Sequence, residues 1–168
     1  KAMYRILILI AVVIWFSGMS NVWAQRENDK PIPFVFTQMV ESGTFDGTAL
    51  RLSDGGESTS YLSDQPERTL QGETENKEFA KAWDAPGISD VSATLTLVNG
   101  RTFQLRLLAA QFEGGGFSYT VQSDATIPSE FGPATLDIKL NGCISGCSEL
   151  CPFNFSRVFF NKLVPCKP

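Results

Sequence analysis

Polar and apolar positions alternate along most of the chain, and that alternation predicts strands. Ala134 to Leu140 is the cleanest case: Leu136, Ile138 and Leu140 fall on one side, Thr135, Asp137 and Lys139 on the other. A period of two with one apolar side is the mark of a strand with one buried face. Phe117-Ser118-Tyr119-Thr120-Val121 repeats it, and Ala49-Leu50-Arg51-Leu52 repeats it more briefly. Phe34 to Val40 and Ser58 to Leu62 add two more segments of β-forming residues.

The sharpest element is a hairpin around Asn99 and Gly100. A two-residue loop would pair Val98 with Arg101 and mix apolar with polar side chains on each face. A three-residue loop, Val98-Asn99-Gly100 with Gly100 left-handed, separates them. Leu95 then faces Phe103, Ala93 faces Leu105, and Val91 faces Leu107. The other side holds Thr96 with Thr102, Thr94 with Gln104, and Ser92 with Arg106. A slip of one residue would put an apolar set in water, so the pattern selects the three-residue loop.

Turn residues punctuate the rest. Gly43 and Gly47 bracket a turn at Phe45-Asp46, Ser53-Asp54-Gly55-Gly56 reverses the chain, and Gly114 to Gly116 make a loose turn. Asp46 and Asp54 read as turn residues, because their spacing fits no EF-hand calcium loop. Ile127 to Pro133 is irregular, and a last strand is expected over Arg157 to Phe160. About eight short strands and one short helix predict an all-β chain, an antiparallel β-sandwich, with a barrel as the alternative.

Tyr61 to Trp83 is the one stretch that neither alternates nor turns on glycine. Ser63 and Asp64 are short acceptors, Pro66 presets a turn, and Arg68 follows Asp64 by four residues, the spacing of a pair across a helical turn. Thr74 is a candidate helix N-cap, and Phe79 and Trp83, four apart, share a helical face. The expectation is a self-bonded corner followed by a short helix pinned by two aromatics. Ser63-Asp64-Gln65-Pro66-Glu67-Arg68 with Gly72, Thr74, Phe79 and Trp83 resembles the signature of a family of small secreted bacterial and archaeal β-proteins with no assigned activity. Gln65 stands where that family carries Arg. The resemblance implies secretion and a β-fold and carries no catalytic residue.

At the N-terminus, Met3-Tyr4-Arg5 precedes an apolar run from Ile6 to Phe16, and Val22-Trp23-Ala24 suits a signal peptidase. Residues 1–24 are therefore expected to be a signal peptide, 25–33 a disordered leader, 34–142 the sandwich, and 143–168 a cysteine-rich tail packed on it. The chain is expected to be secreted or periplasmic, with no stable membrane anchor after cleavage. Without Lys1 and Arg5, 12 basic residues face 18 acidic ones, a net charge of −6. No basic cluster remains for a nucleic-acid partner.

The sequence holds no histidine. That excludes Ser-His-Asp and Cys-His catalysis, histidine-ligated metals and an imidazole switch. Cys143, Cys147, Cys151 and Cys166 form a C-x3-C-x3-C-x14-C array. In an exported chain the even count predicts two disulfides; three connectivities are open to them, the preferred one nesting Cys147–Cys151 inside Cys143–Cys166, and no metal or other cofactor is expected. The expected function is a non-enzymatic binding or structural module for a surface, polymer or protein partner, contacted by the loops at Gly114–Gly116 and Ile127–Pro133. One alternative is a hydrolase with paired carboxylates from Asp64, Glu67, Asp84 and Asp90. The other is a thiol or metal protein built on the tail cysteines.

Overall fold

The computed structural model describes residues 32–165, apart from 54, 66, 67, 85–87, 89, 144–152 and 157–161. The backbone alone is described at 64, 65, 68, 84, 143 and in the two last strands. The chain is all-β with one short helix. In order it forms β1 (Ile32–Val40), β2 (Ser42–Phe45), β3 (Ala49–Ser53), β4 (Ser58–Gln65) and β5 (Arg68–Glu75). Helix α1 (Asn76–Lys81) follows, running into a 3-10 turn at Ala82–Asp84. Then come β6 (Val91–Leu97), β7 (Thr102–Glu113), β8 (Gly116–Gln122), β9 (Glu130–Phe131), β10 (Ala134–Cys143), β11 (Phe153–Ser156) and β12 (Lys162–Pro165).

The sandwich is made from a single sheet. Its hydrogen-bonded order is β5-β4-β1-β10-β6-β7-β8-β3-β2-β9, antiparallel throughout, and β11 joins the end of β10 in parallel with β12 beside it. Two features let this ladder turn over on itself. A single residue, Glu41, separates β1 from β2, yet the two strands belong to distant parts of the order. In β7 the register shifts between Leu107 and Ala109, and such a bulge bends a strand that pairs β6 with its first half and β8 with its second.

The inward residues of both halves then meet. Phe34 and Phe36 of β1, Leu136 and Ile138 of β10, Leu95 of β6, Leu107 of β7, Tyr119 of β8 and Leu50 of β3 are fully buried. Helix α1 pushes Phe79 between the halves, with ring centroids 5.1 Å from Phe36 and 5.9 Å from Phe117. Removing a ring buried on all sides costs about 3–5 kcal/mol, so this helix is a component of the core. The six-residue helix has Glu75 as its N-cap, with no side-chain cap bond. Thr74, expected in that role, is instead paired with Thr59 at the end of β5.

The β6–β7 hairpin has the register that segregates the two faces, with Leu95 opposite Phe103 and Thr96 opposite Thr102. Elsewhere the expected turns tighten. Phe45 lies in β2, and Asp46, Gly47 and Thr48 make the turn. Gly114 and Gly115 form a two-residue turn with φ of 60° and 83°, closing Glu113 on Gly116. The segment Ile127–Pro133 is pinned: Ile127 is buried, Glu130 and Phe131 pair with β2, and the Val98 N–H donates to the Pro133 carbonyl at 3.0 Å. The expected strand at 157–160 lies outside the described residues, between β11 and β12.

Candidate functional site

The expected corner is a hairpin. Gln65 pairs with Arg68 and Asp64 with Thr69, so the backbone of both strands is extended up to these residues. Continuous pairing of β5 with β4 removes the helical turn in which residues four apart meet. Pro66 and Glu67 lie outside the described residues, as do the side chains of Asp64 and Arg68. Ser63 is buried and donates its hydroxyl to the Pro33 carbonyl at 2.5 Å, joining β4 to β1. Trp83 packs edge-on against Tyr119, with centroids 5.9 Å apart. Among the described side chains its Nε1 is the one buried polar atom without a hydrogen-bond partner.

In the β6–β7 loop, Gly100 has φ of 82°, and its N–H donates to the Leu97 carbonyl at 2.8 Å. Asn99 Oδ1 accepts from the Arg101 N–H at 3.0 Å. Both residues serve the turn. Cys147, Cys151 and Cys166 lie outside the described residues, and Cys143 ends β10.

A site the sequence did not single out lies between β1 and β4. Their ladder runs only from Val35–Leu62 to Thr37–Ser60. Beyond it the strands part, and an open cleft of about 390 Å³ forms on the outer face. Thr37, Met39 and Glu41 line one side, Ser58 and Ser60 the other, with Glu73 of β5 beyond them and Gly55-Gly56 at the lip. Met39 is 72% exposed, although it sits in a nine-residue strand.

Behind the cleft the gap is bridged by buried polar groups. Gln38 Nε2 donates to Thr59 Oγ1 at 3.0 Å, and that hydroxyl donates to Asn76 Oδ1 at 2.7 Å. Asn76 Nδ2 donates in turn to the Gly56 carbonyl at the lip, 2.9 Å away. At the other end, the Tyr119 hydroxyl donates to Gln38 Oε1 at 2.8 Å. Each donor meets an acceptor, as buried polar groups require, and the chain of bonds fixes β8, β1, β4 and the start of α1 together. Burial raises the Tyr119 hydroxyl well above its ordinary pKa, and the bond to Gln38 partly offsets that. The cleft therefore has a rigid back wall.

The sequence did carry a trace of this wall. Gln38 falls in the inward phase of β1, after Phe34 and Phe36 and before Val40, and Thr59 falls in the inward phase of β4 with Tyr61 and Ser63. A polar residue in an inward phase is the available signal.

Other charged groups are engaged at the surface. Asp46 accepts from the backbone N–H groups of Ala49 at 2.7 Å and Thr48 at 3.0 Å and pairs with Arg51. Those contacts, the Ala49 N–H first, hold its carboxyl well below the usual range. Asp90 pairs with Arg106. Of the four carboxylates expected for a hydrolase, Asp90 alone has a described side chain, and it forms that exposed pair. A second open cleft of similar size, about 410 Å³, lies at the Gly114–Gly116 turn beside Arg51 and Glu113. No group of three or more potential metal ligands occurs among the described residues. Comparison of the chain with protein-family models, curated proteins and solved structures finds no significant match.

Proposed function

We propose that the protein is an exported, non-catalytic binding module that receives its ligand in the cleft between β1 and β4. The carrying observation is the contrast between its two sides. The polar groups behind it are consumed by one another, from Tyr119 to Gly56, while Met39, Glu41 and Glu73 in front face solvent. A preformed concavity with a fixed back and a solvent-facing front favours binding at little reorganisation cost. Export is supported by the basic and apolar N-terminal pattern and by the resemblance through Ser63 to Trp83. The same reading has the tail cysteines oxidised, as the compartment would impose.

The test is photo-crosslinking from position 60, in the cleft, and from Thr102, on the outer face of β7, in the medium or envelope of the source cells. A product formed from position 60 and not from 102 supports the reading. Equal labelling from both sinks it. Two carboxylates in one cleft also favour a second reading, an acid-base hydrolase. Turnover of a glycoside, ester or peptide that disappeared in Glu73→Gln, with the circular dichroism unchanged, would establish it.

A further inference from the structure

We infer that the cleft takes a cationic side chain, carried on an extended segment of a protein partner rich in lysine or arginine. This rests on the cleft being the binding site. Among the described residues, Glu41 and Glu73 are the charged ones lining it, and no lysine or arginine does. Neither is in an ion pair among the described residues. Glu73 is oriented: the Ser58 hydroxyl donates to its Oε2 at 2.9 Å, and a carboxylate so held still has lone pairs for a cation. A neutral ligand would leave two carboxylates unanswered, and an anionic one would be repelled.

Two further observations give the ligand its shape. Met39 presents a flexible thioether, 72% exposed, on the same wall as Glu41. Lysine and arginine carry apolar stems that cover such surface while the charged head stays with its partner. The β1–β4 ladder ends at Thr37–Ser60. Beyond it Ser53 and Gly55 flank β1: the Glu41 N–H donates to the Ser53 carbonyl at 3.3 Å, and Gly55 lies against the Met39 carbonyl. What stays open at Met39 is therefore the outer face. An extended segment lying across that face would deliver alternate side chains to one wall.

The experiment is a titration of the isotope-labelled full chain with N-acetyl hexalysine amide, read by amide chemical shifts. Saturable shifts centred on Met39, Glu41, Ser58 and Glu73 are expected, weakening as salt is added. Hexaglutamate should produce none. In the Glu41→Gln, Glu73→Gln double variant, affinity should fall about five- to twentyfold, two exposed ion pairs being lost. Ser60→Trp, which fills the cleft and keeps both carboxylates, should abolish the cleft shifts. The inference is overturned if shifts spread evenly over other exposed carboxylates such as Glu113 and Glu130, or if the double variant binds unchanged. Should position 60 still crosslink specifically while hexalysine does not bind, the ligand class is wrong and the cleft stands. Failure of both removes the cleft itself.

Discussion

Tyr119 of β8 and Gln38 of β1 stand four ladder steps apart, yet the tyrosine hydroxyl reaches the Gln38 side-chain oxygen at 2.8 Å. The bond spans the two facing halves of the folded sheet. Tyr119→Phe leaves that carbonyl buried without a donor, at a cost of about 1–3 kcal/mol. Urea unfolding should show a lower midpoint at unchanged slope.

The same tyrosine makes stability fall in alkali. Its folded pKa is raised by burial, so above about pH 10 the unfolded chain loses this proton while the folded one keeps it. The group's contribution is whole below the unfolded pKa and is lost as pH rises towards the folded one. The slope is about −1.4 kcal/mol per pH unit while the two states differ by one proton. Denaturation followed between neutral and strongly alkaline pH should show a slope shallower by that amount in Tyr119→Phe.

Gly72 is bare because Tyr61 lies across it. The two are directly paired on β4 and β5, and a Cβ at Gly72 would meet the Tyr61 Oη at 2.5 Å and Cζ at 2.8 Å. The ring cannot swing freely, since Phe34 and Phe36 pack against it at 5.9 and 6.0 Å. Gly72→Ala should cost about 1–3 kcal/mol through forced repacking. The penalty should shrink in a Tyr61→Leu background, which a double-mutant cycle measures.

At Gly100 the cost is purely conformational. Nothing lies within 4 Å of a Cβ built there, but φ is 82°. Gly100→Val should destabilise by about 1–3 kcal/mol, and Gly100→Asn by clearly less, because asparagine tolerates the left-handed region. Thermal melts of the pair distinguish strain from collision.

These pairs also explain what the sequence could disclose. The β6–β7 hairpin was legible because both strands alternate and one register alone keeps their apolar sides together. β5, Arg-Thr-Leu-Gln-Gly-Glu-Thr-Glu, was not legible: its inward positions are Leu70, Gly72 and Thr74, and the apolar bulk over Gly72 comes from its neighbour. β2 hides similarly, since the Phe131 ring of β9 covers Gly43. The cleft was illegible for a different reason. It arises where two strands stop pairing, and no residue type marks that point.

Under the proposed export, the tail cysteines should titrate as no free thiol. Non-reducing peptide mapping reads their pairing: the nested arrangement joins Cys147 to Cys151 and Cys143 to Cys166. Four reactive thiols would refute oxidation altogether.

The position of β1 has a kinetic consequence. It pairs along its whole length with β10, and Thr37 bonds Asp137, 100 residues later in the chain. Until β10 has emerged from the ribosome, β1 lacks its longest neighbour and the two halves cannot close over Phe79. Contacts of such long range make folding slow. A chain that stays open until β10 has been made remains threadable, which is what the proposed export through a membrane channel would require before folding.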